Sequence, residues 1–399
     1  MDFSLGTDLL EFQHLVRGFV KREFDPGEGG RQQGSGFNRQ GWDKCADFGI
    51  QALPITERYG GLGKDLLACV VAMEELGYGC RDGGLLFSLC CHIGTCALPI
   101  QLMGTDAQKN TYLPGMAAGY LIGGHPIADL GTPTEGARTP IRATRTGTGF
   151  SLRGTIRHAA NASVANVFTV FAVTDGGPAD DPGNPNAPRQ GLTAFLVNRD
   201  EAGVHIGTPK PSMGLGGSLI AELSFDDCQV PETAVLGAVD GAQELLSARF
   251  RWQMVCLLAC ALGRMERQLD ASLHFAGERH QFGRNIGEFQ AVSHRLADMK
   301  MRVELSRLLL HKTAWMENRG QDSLMYAAIA KLFVGAGYVA SSRDAIQIHG
   351  GYGYMTESGV ERDLRDAMGS HAYAGASDVQ RDIIAHLLGV GEPDAIPRI

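Results

Sequence analysis

The sequence of 399 residues lacks several features that mark whole classes of protein. Its 36 lysines and arginines are outnumbered by 44 acidic residues, so the formal net charge is −8. This balance argues against a basic surface for nucleic acid or an anionic membrane. No run of about 18 apolar residues stands out, and the start MDFSLGTDLLEFQHLV has no basic leader before an apolar core. We predict a cytoplasmic protein with neither nucleic-acid nor membrane partners.

The nine cysteines show neither paired Cys-x-x-Cys spacing nor the density of a disulfide-rich scaffold. We predict that most of them are reduced and buried as small apolar side chains. Cys91, His92 and Cys96 are possible metal ligands, but no second His/Cys pair completes a tetrahedral set. The sequence therefore predicts no metal site.

The residue pattern changes twice along the chain and predicts three domains. Residues 1–120 follow a helical period, whereas residues 121–236 contain short β-branched runs such as FSLRGTI and NVFTVFAVT between turns. Residues 237–399 return to a helical period. The predicted fold is α+β, with an N-terminal helical domain, a middle β-barrel or sandwich, and a C-terminal four-helix bundle.

The bundle has predicted boundaries. Three long apolar segments span residues 242–277, 290–318 and 323–347. A shorter helix follows Ser377, which we predict to form a capping box with Gln380.

Two blocks in the C-terminal region carry residues suited to a dinucleotide: ERHQFGRNIGEFQAVSHRLADM (278–299) and QIHGGYGYMTESGVERDLRDA (347–367). In the first, Arg279 offers fixed donors to a pyrophosphate and Phe282 can cover an aromatic ring. In the second, Gly350 and Gly351 let the backbone approach a bound group closely. A capping arginine beside a core phenylalanine would explain the first block alone, but the presence of both favours binding.

Together the blocks resemble the C-terminal half of acyl-CoA dehydrogenases, and RYGGLG and FDDCQVP elsewhere in the chain also fit. The resemblance implies an FAD-dependent enzyme that forms a homodimer or homotetramer, because the first block reaches the flavin site of a neighbouring subunit. It implies these cofactor residues: Arg279, Gln281, Phe282, Gln347, Gly350, Gly351 and, near the adenosine, Gln380.

The β-domain departs from the family pattern. The segment that holds the flavin pyrimidine corresponds to Ala128–Glu135, and a threonine hydroxyl is lost there. The aromatic residue that covers the isoalloxazine corresponds to His158, and a nearby Ser or Thr to Ala160. The resemblance implies that Ala128, His158 and Ala160 still adjoin the flavin, with fewer side-chain contacts to it.

The segments GRMERQLD (263–270) and QAVSHRLADMKMRVELSRLLL (290–310) resemble more closely the prolyl-carrier dehydrogenases, which oxidise amino acids held as thioesters on carrier proteins. Both family positions for the catalytic glutamate differ here. The usual Glu-Gly-Thr triplet reads Ala374-Gly375-Ala376, and the helix position used by the prolyl branch holds Gln253. The resemblance implies that the Ala374 N–H remains an oxyanion donor while the base is replaced.

The replaced base leaves three explanations open. The chain is an engineered or silenced dehydrogenase; or another base serves, with His158, His349 and Tyr373 as candidates; or the reaction is redox-neutral, such as an elimination or cyclopropane formation. Our first hypothesis is α,β-dehydrogenation of an acyl or aminoacyl thioester on a carrier protein or CoA. A flavin monooxygenase of the same fold and a non-catalytic flavoprotein scaffold are the alternatives.

Overall fold

The structure is a computed structural model that describes residues 4–24, 36–126, 139–174 and 191–390. Helices form its N-terminal part. Side-chain caps set several helix starts: Asp65 accepts a hydrogen bond from the Ala68 N–H, and Asp82 accepts one from the Leu85 N–H. The helices are α1 (Thr7–Glu23), α2 (Arg39–Phe48), α3 (Leu66–Gly79), α4 (Gly83–His92), α5 (Leu98–Met103) and α6 (Asp106–Ala117).

The middle region is an eight-stranded sheet in the described part of the chain. Its strands are β1 (Gly123–Pro126), β2 (Arg142–Arg145), β3 (Gly149–Ala160), β4 (Val167–Thr174), β5 (Leu192–Asn198), β6 (Val204–Ile206), β7 (Ala221–Pro231) and β8 (Val235–Leu236). The order is β6-β7-β3-β1-β4-β5-β8, and β2 pairs with β3 and β4. Strand β4 is buried along its whole length, as expected for the apolar run NVFTVFAVT.

Three long helices and several short ones form the C-terminal region. They are α7 (Ala242–Glu278), α8 (Gln290–Asn318), α9 (Leu324–His349), α10 (Gly351–Tyr354), α11 (Val360–Met368) and α12 (Ser377–Leu387). Between α7 and α8 the chain forms a β-hairpin with a two-residue turn. Its strands are β9 (His280–Gln281) and β10 (Arg284–Asn285). The predicted fold class is confirmed, and the three long helices begin and end within two residues of the predicted limits.

Helix α7 joins the two helical regions into one core. A Cβ atom added to Gly77 of α3 would lie 2.2 Å from the carbonyl oxygen of Cys260 in α7. The reverse holds at Gly263, where an added Cβ would lie 1.9 Å from the carbonyl oxygen of Glu74. Only glycine allows this close approach of two helix backbones, so α3 and α7 pack with little space between them.

Two helical stretches are long and apolar enough to cross a membrane by length and composition alone, contrary to the sequence expectation that no such run exists. They are Gly83–Met103 and Leu324–His349, whose most apolar windows are 89% and 56% buried within the protein. Burial against other elements explains their composition, since a central helix of a large core is apolar on most sides.

Candidate active site

The two sequence blocks meet on one surface at the ends of α7 and α9. The guanidinium carbon of Arg279 lies 6.0 Å from the centre of the Tyr352 ring. Phe275 of α7 stacks on His349, with ring centres 4.5 Å apart. The structure thus brings the first block against the second, as both motifs require if they serve one ligand. The predicted cofactor residues with exposed side chains here are Arg279, Gln281, Phe282 and Gln347.

Phe282 occupies the tip of the β9–β10 hairpin and is 92% exposed. Its φ is +52° and that of Gly283 is +79°, so both central turn residues are left-handed, as a two-residue hairpin requires. A left-handed conformation in a phenylalanine is strained, and an exposed ring loses the stabilisation of burial. The core-phenylalanine interpretation is therefore wrong, because the ring lies on the surface.

Gly350 and Gly351 form an open turn after α9. Gly350 has φ +59° and ψ −132°, a conformation accessible almost only to glycine. A Cβ added at either glycine would meet nothing within 4 Å. The backbone here is therefore accessible to a bound group.

Gln380 is fully buried on α12, and neither its amide nitrogen nor its amide oxygen has a hydrogen-bond partner among the described residues. The predicted capping box with Ser377 is wrong: the N-cap is Ala376, and Ser377 already lies in the first turn of the helix. A buried amide without partners is costly, so this side chain fits a polar ligand group.

Gln380 and the Gly350 turn lie near opposite ends of α9. Helix α12 packs through Ile383 against Leu324 and Ala328, at the start of α9, whereas Gly350 follows its last residue. A helix of 26 residues rises about 39 Å at 1.5 Å per residue. The two places are therefore far apart on one copy of the chain.

The β-domain residues of the predicted flavin site lie on β3. His158 is exposed, whereas Ala160 is fully buried and pairs with His125 of β1. The next residue, Asn161, has φ +59° and donates from its amide to the carbonyl oxygens of Ser88 and Gly123. The hydrogen bond to Ser88 connects the end of β3 to α4. Ala128 lies outside the described residues.

A small cavity of about 30 Å³ lies between α4, α7 and the segment before α12. The rings of Phe87 and Tyr373 pack against each other in its wall, with centres 5.9 Å apart and a tilt of 51°. Leu257 and Ala261 of α7 form part of its apolar wall. These two residues and Gln253 recur every four residues, so they share one face of α7.

Gln253 lies one helical turn before Leu257 and is 8% exposed. Its amide nitrogen donates to the sulfur of Cys91 in α4 at 3.5 Å. Beside it the chain between α4 and α5 forms a π-helical turn, Ile93–Ala97, and a Cβ added to Gly94 would lie 3.0 Å from the Gln253 Cα. The backbone of α7 is therefore held tightly at this position, and π-helical turns are frequent at functional sites.

Ala374 directly follows Tyr373 of the cavity wall and has φ +54°. A left-handed conformation costs a non-glycine residue about 1–2 kcal/mol. The Ala374 N–H donates no hydrogen bond to any described backbone group, although the Ala372 and Tyr373 N–H groups both bond to Gly369. A strained, unpaired backbone donor beside a cavity suits an oxyanion.

An ionic cluster forms part of the cavity lining, and its contacts were not predicted from sequence. The Arg264 side chain donates to Asp366 at 2.7 Å and to the Tyr338 hydroxyl at 3.1 Å. Asp366 also accepts from the Leu215 N–H at 2.6 Å. Arg264 stands in GRMERQLD and Asp366 in the second block, so the motifs contained both residues without showing their contact.

Two of the three alternative bases, Tyr373 and His349, gain no support from their surroundings. Burial raises the pKa of Tyr373 well above its ordinary value, so its phenol stays protonated at neutral pH. His349 is stacked on Phe275 at the end of α9, away from the cavity lining. Asp366 is the carboxylate in that lining, and both of its oxygens accept hydrogen bonds.

The possible metal ligands have other contacts. The Gly123 N–H donates to Nδ1 of His92 at 3.0 Å, and Cys96 donates to the Gly124 carbonyl oxygen at 3.2 Å. Cys91 accepts from Gln253. Within residues 4–24, 36–126, 139–174 and 191–390, no group of three or more His, Cys, Asp and Glu side chains is arranged for a metal.

Three family models match the chain in succession: the N-terminal, middle and C-terminal domains of acyl-CoA dehydrogenases, over residues 7–120, 128–228 and 241–389. The fold and site therefore define a flavoenzyme of the dehydrogenase type, and the cofactor of such enzymes is FAD. The chain belongs to the acyl-CoA dehydrogenase family.

Similar proteins include carrier-protein enzymes. An L-prolyl-[peptidyl-carrier protein] dehydrogenase of Pseudomonas fluorescens is 36% identical over 360 residues, which are 90% of this chain and 92% of that protein. The crystal structure of the prolyl acyl carrier protein oxidase AnaB superimposes with a TM-score of 0.88 at 33% identity, over 97% of this chain and 100% of that one. The structure of PigA with FAD and proline gives 0.89 at 29% identity, over 98% and 100%.

Proposed function

We propose that this protein binds FAD and acts at the α-carbon of an aminoacyl thioester presented by a carrier protein, in a reaction of the α,β-dehydrogenation type. The observation that carries the proposal is the unpaired N–H of Ala374, which lies in a left-handed turn beside the cavity. Removing an α-proton from a thioester places negative charge on the carbonyl oxygen, and a preset backbone donor stabilises it. The similarity to prolyl-carrier enzymes supports the carrier-bound substrate class.

The residues present fit a flavin dinucleotide. The orphaned amide of Gln380 requires polar partners, and the turn at Gly350 leaves its backbone open to a ligand. Arg279 is exposed, and its cationic fork suits a pyrophosphate. We place Gln380 at the adenosine part of FAD. We place Arg279 at the pyrophosphate, with Phe282 beside it against a ring of the cofactor.

Because Gln380 and the Gly350 turn lie near opposite ends of α9, a flavin site that uses both must combine two copies of the chain. The exposed Phe282 supports this arrangement, since its ring gains burial only against another molecule. We therefore propose that the protein is a homo-oligomer, in which one copy supplies the hairpin and its neighbour supplies Gln380.

Arg279→Ala is expected to weaken FAD binding by about 10- to 150-fold, because hydrogen bonds to charged groups contribute about 1.5–3 kcal/mol. The measurement is the dissociation constant of FAD from fluorescence titration of the flavin-stripped protein. Arg319→Ala is a matched control, because that arginine lies over Trp315 at the end of α8. Equal FAD affinity in the Arg279 and Arg319 variants would remove Arg279 from the flavin site.

A mixing experiment tests whether the site combines two copies. Arg279→Ala and Gln380→Ala proteins, each deficient in FAD, are unfolded together and refolded as mixed assemblies. If Arg279 and Gln380 of one site come from different copies, each mixed pair has one intact site and one doubly altered site, so flavin content recovers partly. No recovery, with assemblies of the expected mass in light scattering, would place both residues of one site on the same copy.

In the proposed reaction, the apolar side chains of Phe87, Tyr373 and Leu257 adjoin the acyl group and keep water away from it. The Ala374 N–H donates to the thioester oxygen as negative charge develops there. When bound, FAD supplies the acceptor for the β-hydrogen as hydride. The resemblance to prolyl-carrier enzymes puts Gln253 at the position of the base. An amide does not accept a proton at neutral pH, so α-proton removal through this residue is slow.

The test of the function is incubation of the FAD-loaded protein with prolyl, isoleucyl and butyryl thioesters of a carrier protein in deuterated water, followed by mass spectrometry. Exchange of the α-hydrogen or loss of two hydrogens is the expected result. If no thioester exchanges or changes mass, while FAD is bound in full, the proposed chemistry at the α-carbon is wrong.

A redox-neutral reaction is the second candidate, favoured by one observation: the position of the base holds an amide, and Asp366, the carboxylate of the cavity lining, is fully engaged. Here the α-proton passes to solvent and a substituent of the side chain leaves with its bonding electron pair, giving an alkene or a ring. The same mass spectrum distinguishes it, because the product has lost the elements of an acid and not two hydrogens.

A further inference from the structure

A second cavity, of about 80 Å³, lies between α7, α9 and the start of α11. Three arginines from different parts of the chain line it: Arg81 before α4, Arg267 of α7 and Arg362 of α11. His349, at the end of α9, and Asp363 are also in the lining. One water needs about 10–15 Å³, so this space holds a group of a few heavy atoms. Such a space admits a phosphate but not a whole nucleotide.

The charges in this cavity are not balanced. Arg267 pairs with Asp363 at 2.8 Å, and Asp363 is the one acidic side chain among the described residues that line the cavity. The side chains of Arg81 and Arg362 form neither an ion pair nor a hydrogen bond within the described part of the chain. Partial burial lowers the pKa of Arg81, and the like charges of Arg267 and Arg362 lower it further. Two cationic side chains therefore lack a carboxylate partner, in a protein whose formal net charge is −8.

The carboxylates next to these arginines along the chain have other partners. Asp82 accepts hydrogen bonds from the Leu85 N–H at 3.0 Å and from the Asn38 amide at 2.9 Å. Glu361 accepts one from Arg365 at 3.1 Å. Neither carboxylate therefore neutralises a guanidinium group of the cavity by direct contact.

The start of α11 adds backbone donors to the same cavity. Gly359 is the N-cap, with φ +68° and no side-chain cap, and a Cβ added there would lie 4.0 Å from a guanidinium nitrogen of Arg81. The N–H groups of Glu361 and Arg362 donate to no described backbone group outside the helix, and this early in a helix they have no partner within it. A helix start of this kind attracts an anion, and here it adjoins the unpaired arginines.

We propose that this cavity binds a phosphoryl group with two negative charges, either inorganic phosphate or the phosphate monoester of a small molecule. Two such charges match the two arginines without carboxylate partners, Arg81 and Arg362. Guanidinium groups bind phosphate oxygens through charge-assisted hydrogen bonds, and the N–H groups of α11 supply further donors. The site differs from the positions assigned to FAD above and does not rest on the proposed function.

The test is titration of inorganic phosphate into the FAD-loaded protein by isothermal titration calorimetry, with chloride holding the ionic strength constant. The expected result is one phosphate for each subunit, with a dissociation constant of about 0.1–1 mM. Arg81→Gln and Arg362→Gln are each expected to weaken binding by about tenfold or more. Both variants should fold, because neither side chain has an ion pair in the described structure. Arg343→Gln, the same change at an exposed position of α9 outside the lining, is the matched control and should bind as the parent does.

Phosphopantetheine and pantetheine, which differ by one phosphate monoester, identify the source of the phosphoryl group. Displacement of phosphate by the first and not by the second assigns the site to an organic monoester, whereas bound phosphate that neither displaces assigns it to free phosphate. Three results overturn the proposal. They are no saturable binding by the FAD-loaded protein, equal affinity in the Arg81, Arg362 and Arg343 variants, and release of FAD as phosphate binds, which would make the cavity part of the cofactor site. Absence of α-hydrogen exchange would remove the proposed function and leave this site standing.

Discussion

Gln253→Glu is expected to raise the rate of α-hydrogen exchange in a carrier-bound aminoacyl thioester by about 10²–10⁴, the usual contribution of a general base. Glutamate and glutamine have the same length and nearly the same shape, so the new carboxyl fits the space beside Cys91. The backbone is fixed there by the close contact with Gly94, which keeps the side chain directed as before. The measurement is α-deuterium uptake by mass spectrometry at equal flavin content.

The new carboxyl would be buried, and the nearby Arg251 is already paired with Glu317. Burial without a cationic partner raises a carboxyl pKa, so the exchange rate of this variant should rise with pH over a range above the ordinary glutamate value. Gln253→Met is the matched control, because methionine has similar length but no basic atom. Exchange no faster in Gln253→Glu than in Gln253→Met would show that position 253 does not face the α-carbon.

The free energy of unfolding is expected to fall steeply above pH 9. Burial is the main cause that raises the pKa of four thiols above their ordinary value of 9.0, that of Cys80 to about 12: Cys45, Cys69, Cys80 and Cys256. The pKa of a fifth thiol, Cys90, is raised first by its hydrogen bond with Cys260 and then by burial. Because the pKa of these thiols is raised in the folded state, the stability that they contribute is fully present below pH 9.0. It is lost as the pH rises further, since the thiols of the unfolded chain ionise while those of the folded chain stay protonated. Each thiol lowers the free energy of unfolding by at most about 1.4 kcal/mol for each pH unit. Five thiols together therefore approach a loss of about 7 kcal/mol for each unit.

Lys331 opposes this trend only weakly. Burial lowers its pKa from 10.5 to about 8, so the folded state releases its proton first and stability rises between these values. One group contributes at most about 1.4 kcal/mol per pH unit, which the thiols outweigh. Urea unfolding at pH 8, 9 and 10 with a reductant measures the slope. Cys69→Ala should make the slope of the unfolding free energy against pH shallower by the contribution of one thiol. A free energy of unfolding that does not fall between pH 8 and 10 would refute the prediction.

Periodicity predicted the helices well because their apolar residues follow one repeat over many turns. The limits of α7, α8 and α9 came from this repeat alone. The start of α12 was misplaced by the capping-box prediction, since Ser377 and Gln380 have the required spacing but Ala376 is the N-cap. A spacing of three residues fits both a cap and the first turn of a helix, and the backbone at Ala376 decides between them.

The site was predictable in its motifs and not in its contacts. Arg264 and Asp366 are 102 residues apart, and Leu215 and Asp366 are 151 apart, so no local pattern shows that they meet. Likewise, the glutamine at position 253 is read directly from the sequence, but its burial beside Cys91 depends on how α4 packs on α7. The flavin and catalytic roles of Gln253, Ala374, His158 and Ala160 stay predictions.

The sequence by itself determined the helical and strand periods, the two dinucleotide blocks and the absence of glutamate at positions 253 and 374, because these are properties of neighbouring residues. The tertiary structure decided the left-handed backbone of Ala374 and the exposure of Phe282. It also decided which donors, those of Arg264 and Gln380, have no partner among the described residues. Each of these depends on which distant elements surround a residue, since only packing determines which polar groups are paired and which apolar ones remain exposed.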